Sequence, residues 1–197
     1  MTIRIPITAA IILLLSLSLG TSCNHFRQDA WNEYTQNRVD TLEAMVKTMP
    51  QALKYTVAEM EENMAQIETD LNIVRYAPAS AMDRNSDLSV KQYVQLLTRY
   101  KKIVPAYKQA VIMTEQSVME FKEFRKAVQQ NFYKDKKEDF KLEYAFVKAR
   151  IAQASQKVQQ AGGMAGQAYA SYVRLSRAMN KIILEKVSEE DLPQEPQ

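Results

Sequence analysis

The residues able to do chemistry are few. The chain of 197 residues has one cysteine and one histidine, Cys23 and His25, close together near its start. A lone thiol can be modified but cannot close an internal disulfide. With no histidine further along, the acidic set Glu59, Glu61, Glu62, Glu68 and Asp70 lacks the partner that di-iron helical proteins place beside their carboxylates. Calcium loops need acidic alternation around a turn glycine, and that is missing too. These carboxylates therefore read as a solvated helical face. There is no G-x-S-x-G and no phosphate-binding glycine loop. The expectation is a non-enzymatic chain with no cofactor and no metal site.

Three other groups stand out. Tyr93, Tyr100 and Tyr107 recur every seven residues, so they share one helical face, and buried phenols need hydrogen-bond partners. They can form a core row or line a pocket. Gly162, Gly163 and Gly166 are three of the four glycines and sit inside a helical pattern, where each costs about 1 kcal/mol relative to alanine. They can mark a hinge, a local break, the close approach of a neighbouring helix, a close contact with another protein, or a cavity that with the tyrosines forms the pocket of a small-molecule or lipid carrier. Lys134, Lys136, Lys137 and Lys141 gather with Asp135, Glu138 and Asp139 in what reads as a solvated turn.

The start of the chain explains the thiol. Arg4 precedes an apolar run over residues 7–19 broken only by Thr8, Ser16 and Ser18, and Gly20, Thr21 and Ser22 lead into Cys23. At about 1.5 Å per residue this run is too short for a hydrocarbon core of about 30 Å. A cation, a short apolar stretch and small residues form a secretory signal. Its end resembles a bacterial lipoprotein signal, although Gly20 stands where the family usually has leucine and Leu19 lies one residue further back. The resemblance implies a diacylglyceryl group on the Cys23 thiol, cleavage after residue 22 and a fatty-acylated (palmitate-type) N-terminus. Asn24, where an aspartate would favour inner-membrane retention, implies the outer membrane, facing the periplasm. The implied partners are the membrane, through the lipid, and another envelope protein or a second copy.

Charge adds little. Removing Arg4 with the leader leaves 25 cations against 23 anions, a formal balance near +2, which gives no reason to expect nucleic acid. A near absence of glycine outside 162–166 excludes a turn-rich β domain.

The rest of the chain must build the scaffold. Residues 1–22 are the expected signal peptide, 23–29 a lipidated polar tether, 30–188 the helical bundle and 189–197 a disordered acidic tail containing Pro193 and Pro196. The first apolar stripe runs from Trp31 through Leu42, Met49, Val57 and Ile67 to Val74. Pro50 interrupts it, and Thr48 with Gln51 has capping-box spacing, so a kink or a short break is expected there. Residues 77–87 form a loop, and Ser89 with Gln92 signals the next helix. Its stripe is Tyr93, Leu97, Tyr100, Val104, Tyr107, Val111, Thr114, Val118, Phe121, Arg125, Val128 and Phe132. Pro105 lies in register and bends that helix without ending it. Asp135 and Glu138 start a third helix whose stripe runs from Phe140 to Ile182, with Ala154, Ala161, Ala165 and Ala168 in its middle. Short connections make the three antiparallel. The predicted fold is all-α: an elongated antiparallel three-helix bundle with coiled-coil-like heptad seams.

Overall fold

In the computed structural model residues 7–188 are described, with side chains from Gln28 onward. The expected leader falls partly outside that range, as do the Cys23 side chain and the acidic tail at 189–197. Four α-helices follow one another: α1 (Ile7–Thr48), α2 (Val57–Val74), α3 (Arg84–Gln129) and α4 (Lys137–Lys186). Among the described residues there is no strand, and no helix is long and apolar enough to cross a membrane. The expected tether at 24–29 is helical backbone within α1.

The protein is a three-helix bundle whose first leg is broken in two. Helices α3 and α4, of 46 and 50 residues, run antiparallel for about 70 Å. α1 covers one half of this pair and α2 the other, so the core divides into two clusters. Tyr100 meets Tyr172, and Glu120 meets Arg150. That register brings the small residues Ala110 and Ser117 opposite Ala161 and Ala154. All four are buried, and their small side chains define a waist.

The break in the first leg lies at the waist. A single 3-10 turn, Pro50–Ala52, follows Met49. Thr48 is not a cap, because its hydroxyl donates backward to the Met45 carbonyl at 2.8 Å. The new helix begins instead at Val57, where Thr56 and Glu59 form the capping box. Pro105, by contrast, leaves α3 unbroken.

Helix boundaries differ elsewhere for the same local reason. Asp83 caps α3 by accepting from the Ser86 N–H at 2.8 Å, so the helix starts before Ser89, whose hydroxyl donates to the Asn85 carbonyl. α3 ends earlier than its stripe suggested. Asn131 adopts φ 55°, its N–H reaches the Val128 carbonyl, and the Phe132 N–H reaches that of Ala127, each at 3.0 Å. This paired closure is a Schellman motif with asparagine in the left-handed position. Phe132 is thereby turned outward and is 55% exposed. At the start of α4, Lys136 holds the cap position without a side-chain bond, so Asp135 is not a cap.

The inner face of α3 is rotated from the sequence pattern. Tyr93, Tyr100, Tyr107, Thr114 and Phe121 are buried as expected, but the second deep row is Leu96, Ile103, Ala110, Ser117 and Phe124. Leu97, Val111, Val118 and Arg125 flank the seam and are only half-buried. Thr114 fits the core by donating its hydroxyl to the Ala110 carbonyl at 2.8 Å.

Candidate functional site

The tyrosine row of α3 is core. Tyr93, Tyr100 and Tyr107 are 0%, 1% and 0% exposed, so they line no open pocket. Their phenols are engaged. Tyr93 donates to Asp70 Oδ2 at 2.7 Å, and the other oxygen of that buried carboxylate accepts from Gln66 at 2.7 Å. The Tyr100 phenol faces the Asn63 side chain. Tyr107 donates to the Tyr55 carbonyl and accepts from the Tyr55 N–H at 3.2 Å. Stepping by seven along α3 from 93 to 100 steps back by seven along α2 from 70 to 63, which is antiparallel heptad register. No buried side-chain polar atom among the described residues lacks a partner.

This environment alters the phenols. Burial, then the bond to Asp70, raises Tyr93 far above the ordinary value. Burial pushes Tyr100 up to about 12. Tyr107 and Tyr172 are raised as well, chiefly by burial. None of them is a base ready to act at neutral pH.

The glycines separate. α4 passes through all three without a break. At Gly162 an added Cβ would lie 2.1 Å from the Ala52 carbonyl oxygen, so the glycine admits the backbone of the 3-10 turn. Gly163 and Gly166 have nothing within 4 Å of that position. The break in the first leg is thus held from three sides. Ala52 lies against Gly162, Tyr107 grips Tyr55, and the Tyr55 ring packs on Tyr169 with centroids 4.9 Å apart.

The remaining candidates are surface features. Arg125 pairs with Glu43 at 3.6 Å. Of the α2 carboxylates, Glu61 and Glu68 pair with Lys108 and Lys101 of α3 at 2.6 and 2.8 Å, while Asp70 belongs to Tyr93. No group of three histidines, cysteines or carboxylates that could hold a metal comes together among the described residues. At the α3–α4 turn Lys134, Lys136 and Lys137 alternate with acids in an open, exposed setting. There Lys136 lies over the Phe132 ring at 4.0 Å and Lys137 over Trp31 at 5.2 Å. Lys141 pairs with Glu138 at 2.6 Å.

A groove between α3 and α4 went unread in the sequence. One lobe, of about 200 Å³, is lined by Gln92, Gln95, Leu96, Arg99, Arg174 and Leu175, with Ser171 at its edge. The adjoining lobe, of about 340 Å³, shares Arg99 and adds Lys102, Ile103, Met164 and Ala168. Its signal was present as an absence. Residues 88–114 carry five cations and no carboxylate, and residues 144–184 carry six and none, whereas α2 carries five carboxylates and no cation. Only the packing makes the two cationic stretches neighbours.

The architecture defines a helical-bundle protein, and the site geometry names no reaction. Comparison with known protein families, curated proteins and solved structures finds no match to this chain.

Proposed function

We propose that this chain is an envelope lipoprotein, anchored through an acylated Cys23 and acting as a non-enzymatic helical scaffold or protein-interaction module at the periplasmic face of the outer membrane. The leader sequence supports the anchor. The observation that carries the scaffold reading is where α1 enters the bundle. Trp31 packs on Phe140 beside the α3–α4 turn, with centroids 5.4 Å apart. Cys23 lies eight residues upstream in the same helix, about 12 Å along its axis. A lipid there would hold one end of a rod about 70 Å long and present the other end away from the membrane. Exposed Leu142 and Phe146, 72% and 55% accessible and one turn apart on α4, give the anchored end of such a rod an apolar pair for a partner. A carrier with its pocket between the tyrosines and the glycines has less to stand on, since the phenols are buried and bonded and Gly162 is filled by Ala52.

Cell fractionation of a Cys23→Ser variant tests the anchor. The variant should leave the membrane fraction or accumulate as uncleaved precursor, and unchanged partitioning with normal processing would end this reading. In-cell cross-linking of the lipidated protein tests the scaffold. Repeated recovery of one envelope protein joined near Leu142 and Phe146 is expected, and capture of nothing but free chain would count against it.

A further inference from the structure

We propose that the groove between α3 and α4 is a binding site for a phosphate ester, gripped by the guanidinium groups of Arg99 and Arg174 and flanked by the Lys102 ammonium. The inference stands on the groove alone and does not require the lipid anchor. Arg99 and Arg174 line one lobe together, and Arg99 with Lys102 lines the next. None of the three makes an ion pair or side-chain hydrogen bond within the described residues, nor do the amides of Gln92 and Gln95. The helices do not supply the missing counter-charge. Along α3 the carboxylates nearest to Arg99 are Asp87 and Glu115, roughly 18 and 24 Å away along the axis. Along α4 the nearest to Arg174 is Glu185, roughly 17 Å away. The glutamates of α2 that do pair with α3 take Lys101 and Lys108 on its other side.

Two guanidinium groups and an ammonium around one concavity, with no partner among the described residues, raise the local potential and favour an anion. Their combined charge suits a phosphate group, whether a monoester or a diester, and the planar forks of arginine match phosphate oxygens two at a time. The floor decides between a bare ion and an ester. Leu96 and Leu175 underlie one lobe, Ile103 and Ala168 the other, and Met164, 42% exposed, stands at the edge. That floor gives the organic part of an ester somewhere to lie. The larger lobe alone is within the range of small-ligand sites, roughly 300–1,000 Å³. Ser171 contributes no donor, because its hydroxyl proton goes to the Gln167 carbonyl at 2.9 Å. The ester can be a soluble phosphate or the headgroup of a phospholipid, which share this chemistry.

Calorimetric titration of the full-length chain in neutral detergent separates the possibilities. The probes are glycerol 3-phosphate, dihexanoyl phosphatidylglycerol and dihexanoyl phosphatidylcholine. Saturable binding of at least one of the first two is expected. Glycerol 3-phosphate alone would assign a soluble ester, and the phosphatidylglycerol alone, or the two phospholipids together, a lipid headgroup. The double variant Arg99→Gln/Arg174→Gln should weaken binding at least about tenfold, the scale of losing one charge-assisted hydrogen bond. Both arginines are exposed, so its melting temperature should hold. Lys148→Gln/Lys157→Gln removes the same charge from α4 outside the groove and should leave affinity within about twofold at moderate salt. Arg99→Lys/Arg174→Lys keeps the charge but loses the forks and should still weaken binding. Three results would overturn the proposal: no saturable binding of any phosphate probe, equal losses in the groove and remote variants, or full affinity in the lysine variant.

Discussion

The two halves of the bundle share α3 and α4 but hold their third helix by different means. In the half closed by α2, the buried phenols of Tyr93 and Tyr107 reach across to the Asp70 carboxylate and the Tyr55 carbonyl, and that of Tyr100 faces Asn63. In the half closed by α1 the interior is rings. Phe140 is surrounded by Trp31, Tyr34, Phe124, Tyr133 and Tyr144, with centroids between 5.4 and 6.2 Å. Directional bonds between buried groups leave one register, because a slip of one turn would strand two phenols and a carboxylate. Ring packing contributes burial energy yet accepts several geometries. One half is therefore specified by polar pairing and the other by apolar volume.

The largest effect should come from removing that volume. Phe140 is 0% exposed and central to the ring cluster, so Phe140→Ala should cost about 3–5 kcal/mol. Hydrogen exchange should show faster amides first in residues 31–48 while α2 keeps its protection. Equal acceleration in both halves would mean that they are one cooperative unit. Next is the waist. Gly162→Ala drives a methyl against the backbone of Ala52 and should cost about 1–3 kcal/mol or more. A thermal melt measures it, and an unchanged melting temperature would mean that the 3-10 turn moves aside freely.

Much of this is legible in the sequence, for identifiable reasons. The heptad of Tyr93, Tyr100, Tyr107, Thr114 and Phe121 declares itself, and so does the stripe from Phe140 to Ile182. Val104 is core as its stripe implies, but the second row of α3 is hard to read because half-buried Leu97, Val111 and Val118 are apolar too. The true row hides two small residues, Ala110 and Ser117, that look like surface. Pro50 announced a disturbance, but its outcome depends on Gly162, distant in sequence, and no local pattern contains that. Ser89 with Gln92 is a sound start signal that lost to Asp83, an equally good cap reached earlier. The cationic groove needed both helices placed side by side, since neither stretch looks unusual alone.

A smaller effect tests the polar half. Tyr93→Phe keeps the ring and leaves one buried oxygen of Asp70 without its donor, at a cost of about 1–3 kcal/mol. Asp70→Asn restores a neutral partner and should recover part of the loss in the double variant. High pH should weigh most on the same half, since in the ring cluster only Tyr133 is raised, chiefly by burial. Folded Tyr93, Tyr100, Tyr107 and Tyr172 all titrate above the ordinary value of 10.0. The unfolded chain thus releases these protons first, and native stability, whole below about pH 10, falls as the pH rises towards 12. Tyrosinate absorbance should appear together with loss of helix, and Tyr100→Phe should shift that transition to higher pH. Absorbance rising well before helix is lost would place the phenols in contact with water.

The smallest effect carries the opposite sign. Gly163 follows Gly162 in the same uninterrupted helix, yet nothing lies within 4 Å of the methyl that alanine would add. Its φ is in the ordinary range, so the glycine meets no steric demand there. Gly163→Ala should therefore stabilise the protein by about 0.5–1 kcal/mol, through helix propensity and a less flexible unfolded chain. Measured beside Gly162→Ala, it sets two adjacent positions of identical sequence character against each other, differing only in whether the broken leg of the bundle leans on them. A loss of stability at Gly163 would mean that the chain needs flexibility at the waist itself, and the Ala52 contact would no longer suffice to explain the glycine pair.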